Sequence, residues 1–377
     1  MTTPRIAFVT TSLMLGGAEN QVALLAERMS HDGLPTQVIS LRTPTAHTSR
    51  LRRAGVPVIS LKMEHKSQRA LAPIRLTRAL RAFQTDVAHA HMVHANILVR
   101  ATRPLHRTPR VITTAHAIYE GGRILDAAYR ATDRFSDLTT HVCSQGLRRM
   151  MHDGLCPSAR AAVVPNAVDV TELRSHRASG QALRRALNPH HRFVWLTVTR
   201  LEPPKDLATL LRAFARLPGD DELWVVGDGF ERARHERAVQ TQVRDPSRVR
   251  FLGHRDDVAD LMWAADAFVL SSHQEALPMT LLEASAVGLP CLASDVGGVR
   301  EALPPQPAGR AVPDRDVAAM VEAMKPIRHA TPEARATMGA AAVRFVRDRF
   351  DVPQIARRWQ QWYLTPAPSA FRHEVAA

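Results

Sequence analysis

Residues 273–290, HQEALPMTLLEASAVGLP, place two glutamates, Glu275 and Glu283, eight positions apart in a mostly apolar stretch. Such a pair could be a general acid and base, part of a metal site, or a holder of some ligand. The preceding AFVLSS reads as a strand, so Glu275 falls in the loop after it. Pro278 suits the first position of a helix, where its missing N–H would lack a partner anyway. The N–H groups of Met279 and Thr280 then point out of the helix start, where a phosphate is favoured. Glu283 lies about a turn further in. At ~100° per residue, eight positions leave the two carboxylates about 80° apart around the axis even on one helix. They can reach two parts of an elongated ligand, which argues against the paired carboxylates of a glycosidase.

Other strand ends carry chemistry of the same kind. FVWLTVT runs into Arg200, and Lys205 follows in TRLEPPKD, where Pro203 and Pro204 stiffen the loop. Two cations there make a diphosphate clamp. The first strand ends in SLMLGGAEN, where Gly16 and Gly17 allow a tight turn before a helix, and exposed N–H groups at a helix start suit an anion or a polar ligand. The spacing is not the G-x-G-x-x-G of a dinucleotide fold. ELWVVGDGFER and SDVGGVREAL are further glycine turns. In the first half the notable groups are histidines: His89, His91 and His94 in DVAHAHMVHAN, and His116 ending VITTAH. Imidazoles at this spacing could converge on a metal, but no carboxylate or thiolate cluster accompanies them, so no metal is expected. His116, at a strand's carboxyl end, is the better polar contact for a ligand. The string DRD at 314–316 follows a proline and opens a helix, which makes it a cap.

The elements that must position these groups are β-rich apolar runs alternating with helical periodicity. Strands are expected at RIAFVTT, TQVISL, PVISL, DVAHAH, RVITTAH, HVCSQ and AAVVPN, then at RFVWLTVT, ELWVVGD, VRFLG, AFVLSS and PCLASD. Continuous apolar strands flanked by helices imply parallel sheets covered on both faces, here two doubly wound α/β domains. A chain of 377 residues fits two domains of about 150–200 residues each. The expected division is 1–168, a polar and basic linker over 169–190, 191–351, an amphipathic last helix over 352–366 and a tail over 367–377. Three scattered cysteines suit a reducing cytoplasm. IAFVTTSLMLGGA reads as a buried first strand rather than a secretory signal, since a glycine turn and an amphipathic run follow it. No apolar run is long enough to span a membrane. Residues 1–165 hold 22 Lys+Arg and 10 Asp+Glu, a balance of +12, whereas residues 191–351 hold 21 and 23, a balance of −2. A basic half suggests nucleic acid, an anionic membrane surface or a phosphorylated partner.

Taken in order, these motifs resemble the GT-B glycosyltransferases, in particular the large retaining glycosyltransferase family 4 (glycosyl transferases group 1). The resemblance rests on GGAE at 16–19, TTAH ending at His116, VPNAVD at 164–169, TRLEPPKD at 199–206, VVGDGFER at 225–232, FLG at 251–253, the E-x(7)-E pair at 275 and 283, SDVGG at 294–298 and the terminal WQQWY. It implies two Rossmann-like domains with a cleft between them, the first for the acceptor and the second for a nucleotide-sugar donor. The last helix would cross back to the first domain. By the same resemblance, Arg200 and Lys205 hold the donor diphosphate, and the backbone at Met279 and Thr280 supports the nucleotide and phosphates. Glu283 bonds the ribose, Glu275 contacts the donor sugar with Leu277 and Pro278 nearby, His116 approaches that sugar, and the Gly16–Gly17 loop closes over the diphosphate. Ala276 and Ala167 stand where the family commonly has glycine.

A retaining glycosyltransferase is therefore expected. It would move a sugar from a nucleotide sugar, on family frequency a UDP-sugar, to a lipid-linked or polysaccharide acceptor in the building of a surface polysaccharide. Arg200, Lys205, His116 and Glu275 are the expected catalytic groups, with no metal or other cofactor. An acceptor carried on a polyprenyl diphosphate would favour a basic first half, cytoplasmic and peripheral on the inner membrane face. The competing readings are a nucleotide-sugar epimerase or phosphorylase of the same fold, and a nucleic-acid-binding protein. Against the last, aromatic content is only 5% and no basic–aromatic module occurs.

Overall fold

The structure, a computed structural model, describes residues 3–119 and 121–364. The end of the expected last helix, 365–366, and the expected tail, 367–377, lie outside them. The chain forms two compact units, one running up to Ala167 and resuming at Val352, the other Val168–Asp351.

The first unit is a parallel sheet of β1 (Ile6–Thr10), β2 (Thr36–Ser40), β3 (Val58–Ser60), β4 (Val87–His91), β5 (Arg110–Ala115), β6 (Leu138–His141) and β7 (Ala161–Val163), in the order β3-β2-β1-β4-β5-β6-β7. β1 shows why it is buried on both sides. Ile6 and Phe8 face one layer, with Val22, Leu25 and Met29 of the helix Gly17–His31. Ala7 and Val9 face the other, with Leu76 and Leu80 of Ala72–Ala82 and Val99 of Val93–His106. The alternation is the two-residue period of a strand. The last helix, Val352–Leu364, packs Ile355, Trp359 and Tyr363 into the first of these layers. Its Tyr363 hydroxyl lies 2.7 Å from His89 Nδ1, and Gln360 donates to Asp32 at 2.6 Å.

The second unit is a parallel sheet of β8 (Val194–Val198), β9 (Glu222–Val226), β10 (Val249–Gly253), β11 (Ala267–Leu270), β12 (Cys291–Ser294) and β13 (Gly309–Val312), in the order β10-β9-β8-β11-β12-β13. Trp195, Val225, Val269 and Leu292 pack against Leu210 and Phe214 of the helix Leu207–Ala215 and against Met320 and Met324 of Val317–His329. Leu196, Trp224 and Phe268 are buried on the opposite face.

Three features depart from the sequence reading. β13 was not expected, because its four residues, GRAV, carry one apolar side chain of any size; pairing with β12 decides it. The strand expected at HVCSQ lies three residues earlier, over Leu138–His141, where buried Thr139 and Thr140 fit the ladder; Ser144 already opens a helix. The expected linker, 169–190, is two helices, Val170–Ser175 and Arg177–Leu187, built into the second unit. Asp169 caps the first by accepting from Glu172 N at 2.8 Å. Gly180 admits the close approach of the second to Val258–Ala264, since a Cβ there would meet Trp263 Cβ at 2.3 Å. His176–Asp260 and Arg184–Asp266 then tie the contact, at 2.9 and 2.8 Å.

Trp359 is 2% exposed, with its ring 4.3 Å from that of His89. Trp359→Ala should lower stability to denaturant by about 3–5 kcal/mol, the usual cost of emptying a buried indole site. A shift in the unfolding midpoint of under 1 kcal/mol would show that the last helix is not part of the first unit's core.

Candidate functional site

The strand orders locate the chemistry. In each sheet the order reverses once, between β1 and β4 and between β8 and β11. Loops leaving such a pair diverge to opposite faces and open a crevice at the carboxyl ends.

In the second unit the loops after β8 and β11 are laced together. His273 N and Gln274 N donate to Pro204 O at 2.9 and 3.2 Å, and Ser271 Oγ donates to Asp206 O at 3.0 Å. His273 is held in turn by Asp314, Nδ1 to Oδ2, at 2.6 Å. The lacing brings Lys205 Nζ to 2.6 Å from Glu275 Oε1, with both side chains largely shielded from solvent. Arg200 lies apart from this pair. Its guanidinium is exposed and pairs with Glu202 at 2.9 Å. The neighbouring turn after β9 crosses close above. Gly227 takes φ +122, and a Cβ on it would sit 1.9 Å from Thr199 O.

The helix expected after Glu275 runs over Met279–Val287, and Pro278 is its N-cap rather than its first residue. The first-turn N–H groups of Met279 and Thr280 have no acceptor within the helix. They open toward the loop that carries Glu275. Leu277 and Pro278 are buried beneath that loop. Glu283 comes one turn after the helix start, so Glu275 and Glu283 do not act as one carboxylate pair. Burial pushes the Glu283 carboxyl up to about 7, and the Glu172 carboxylate adds to the rise. Ser272 and Ser294, at the ends of β11 and β12, bury hydroxyls without a partner among the described residues. Neither serine was singled out in the sequence, since a serine in a loop carries no signal by itself; Asp314, read there as part of a capping string, holds His273 instead. Asp316 caps Val317–His329 by accepting from Ala319 N at 2.9 Å, as the DRD string implied.

In the first unit the turn after β1 leads through Gly16, the N-cap, to Gly17, the first residue of its helix. Glu19, in the first turn, accepts from Ser12 Oγ at 2.7 Å. An anion at this helix start must therefore share it with a carboxylate. His116 follows β5, and its Nε2 lies 2.9 Å from His91 Nδ1. Burial keeps the row of imidazoles neutral: His89 and His91 fall well below the usual range, His116 to about 3 and His141 to about 4. His89 is spent on structure, between the Tyr363 hydroxyl and Thr114 Oγ1 at 2.7 and 2.8 Å. Among the described residues, no three His, Cys, Asp or Glu side chains gather as a metal site, and no helix is long and apolar enough to cross a membrane.

Known proteins share this layout. A family model for Glycosyltransferase Family 4 matches residues 15–172, and one for Glycosyl transferases group 1 matches residues 192–328. The chain is similar to a UDP-Gal:alpha-D-GlcNAc-diphosphoundecaprenol alpha-1,3-galactosyltransferase of Escherichia coli, 27% identical over 60% of this chain and 62% of that one. It is also similar to a GDP-mannose-dependent alpha-mannosyltransferase of Mycobacterium tuberculosis (strain CDC 1551 / Oshkosh), 27% identical over 82% of this chain and 84% of that one. The match thus spans less than two thirds of the first relative's length and most of the second's. Among solved structures, HepE of Anabaena in complex with UDP superposes with a TM-score of 0.83 and 21% identity, over 95% of this chain and 99% of that one. The two sheets and the returning last helix are the GT-B fold.

The raised Glu283 carboxyl has a defined effect on stability. Its folded value lies above the ordinary 4.5, so its contribution is present below about 4.5 and lost as pH rises through about 7. Glu283→Gln removes that loss. By denaturant unfolding without ligand, the variant should gain on the parent between pH 5 and pH 8. A stability difference that does not change with pH would contradict this.

Proposed function

We infer that this chain, which belongs to glycosyltransferase family 4 (glycosyl transferases group 1) and is a glycosyltransferase, transfers a sugar from a UDP-sugar to a lipid-linked or polysaccharide acceptor with retention of configuration, in surface polysaccharide biosynthesis. The observation that carries the reading is the Lys205–Glu275 couple at the β8/β11 switch point, beside the start of the helix Met279–Val287. A cation, a helix N-terminus and a carboxylate in that order suit a diphosphate followed by a hydroxyl-bearing sugar. The UDP of the HepE complex and the UDP-Gal and diphosphoundecaprenol of the Escherichia coli relative's name support this choice of donor and acceptor.

Each residue then has a task. Lys205 and Arg200 neutralise the departing diphosphate, Arg200 by leaving Glu202. The N–H groups of Met279 and Thr280 add donors whose positions are set before the reaction, so little reorganisation is needed as charge develops. Glu283 accepts from the ribose hydroxyls, which favours its carboxylate form. Glu275, released by Lys205, bonds the donor sugar above Leu277 and Pro278. His116, neutral, is assigned to the donor sugar and the Gly16–Gly17 turn to the diphosphate, as the family resemblance implies. The C1–O bond to the phosphate breaks as the acceptor oxygen approaches from the same face, and the leaving phosphate oxygen takes the acceptor's proton. The diphosphate charge is assigned to protein groups alone, with no metal.

Transfer from UDP-sugars to a polyprenyl-diphosphate glycan tests the reading. Lys205→Ala and Arg200→Ala should each lower turnover by about 10²–10³-fold, the usual cost of removing one such stabilising group. Near-parental rates in both would remove the diphosphate clamp. Conversion of the donor with no acceptor present would favour the epimerase instead.

The basic first half supports peripheral attachment to the inner face of the cytoplasmic membrane. Its balance of +12 over residues 1–165 is joined by exposed Leu71, Ile74, Tyr119 and Ile124. Cations beside exposed apolar side chains suit an anionic lipid surface. The protein should float with phosphatidylglycerol vesicles at low salt and leave them at high salt. Absence from the floated fraction at low salt would disprove attachment.

A further inference from the structure

The amino ends of the second sheet carry a cavity of about 230 Å³. Phe193, Asp220 and Asp266 line it and stand just before β8, β9 and β11. It therefore lies at the opposite ends of the strands from Arg200, Lys205 and Glu275. Four arginines complete its charged lining: Arg184, Arg192, Arg328 in the last turn of Val317–His329, and Arg335 in the first turn of Pro332–Arg349.

The four guanidiniums are not used alike. Arg184 is committed to structure, donating to Ala264 O at 2.7 Å and to Asp266 Oδ2 at 2.8 Å, where Val194 N also donates at 2.9 Å. Arg328 is anchored through Nε alone, at 2.5 Å from Oδ1 of Asp221, whose other oxygen takes the Trp195 indole N–H at 3.3 Å. Arg335 donates once, from Nη1 to Ala330 O at 2.5 Å. Arg192 stands 3.5 Å from Glu222 and 3.9 Å from Asp220, too far for a good hydrogen bond to either. Among the described residues, the side chains of Arg192, Arg328 and Arg335 thus make two hydrogen bonds to protein, although each guanidinium has five N–H donors. The carboxylates that offset their charge, Asp221 and Glu222, are 1% and 7% exposed and do not line the cavity.

Phe193 gathers two of these cations, since the guanidinium carbons of Arg328 and Arg335 each lie 5.3 Å from its ring centroid. Two cations drawn to one ring repel each other, and an oxyanion that bridges them replaces repulsion with attraction. Planar forks of donors match phosphate oxygens in particular. The volume is below the ~300–1,000 Å³ of sites for drug-sized ligands, which suits phosphate or diphosphate and is small for a nucleotide sugar. Phe193 is itself buried under the two arginines, so it offers no open face on which a base could stack.

We propose that this cavity is a second anion site, for free phosphate or diphosphate, formed by Arg192, Arg328 and Arg335 and separate from the donor site. It does not depend on the glycosyl-transfer reading. Calorimetric titration of the full-length protein with sodium diphosphate, in salt of physiological strength, tests it. The titration is made on the Lys205→Ala variant, so that the donor clamp does not contribute. One diphosphate should bind per chain, with phosphate competing for the same site. Adding Arg192→Ala or Arg335→Ala should weaken binding at least about tenfold, as expected for a lost charge-assisted hydrogen bond, and Arg335→Lys should recover it only in part. No binding of diphosphate to Lys205→Ala would overturn the proposal without any change in the cavity. Binding that survives both arginine substitutions undiminished would overturn it too, and so would a nucleotide that binds there when diphosphate does not. UDP binding by the otherwise unaltered protein should be the same with Arg335→Ala; its loss would show that the two sites are not separate.

Discussion

A parallel sheet covered on both faces has no wet face on which a charge could sit. Both sheets here are of that kind, with Trp195 and Phe8 fully buried in their midst. Polar chemistry is therefore confined to the strand ends, and the switch points decide which ends diverge enough to admit a ligand. The two most informative contacts lie at the two switch points. Lys205 and Glu275 leave the central strands β8 and β11, and His91 ends β4 beside β1. The long arrays of apolar core on either side serve to hold those four loops.

The two units solve the electrostatics in opposite ways. In the first, four imidazoles lose their charge to burial and offer hydrogen bonds instead. In the second, charge is kept but matched: Lys205 with Glu275, Arg200 with Glu202, His273 beside Asp314. On the proposed reading, a diphosphate reaching Lys205 and Arg200 displaces a carboxylate from each. That costs part of the attraction, and it also frees Glu275 to bind elsewhere. Glu283 is the exception, a carboxyl whose pKa is raised by burial and by the Glu172 carboxylate.

The strands were legible in the sequence because burial on both faces leaves continuous apolar runs such as IAFVT and LWVV. The cap at Asp316 was legible because caps have fixed chemistry, and Pro278 marked the helix start to within one residue. What stayed hidden were contacts between residues far apart in the chain. Nothing in the sequence pairs Lys205 with Glu275, 70 positions apart, or His91 with His116; the strand order does. The helices over 170–187 were missed for a different reason. They are held by a cap, ion pairs and the close approach at Gly180 more than by an apolar stripe, so their hydrophobic periodicity is faint.

The basic excess of the first half also changes meaning once its arginines are placed. Several are spent inside the unit. Arg5 donates to Phe83 O, Arg75 to Leu61 O at 2.7 Å, and Arg160 to Asp133 at 2.7 Å. Arg100 is wholly buried, bonded to the hydroxyls of Thr113 and Thr139 with its guanidinium over the Tyr129 ring, and burial lowers its pKa. Guanidinium suits this work because five donors on a planar fork can satisfy carbonyls where strands and helices end. Arginine richness is then partly structural.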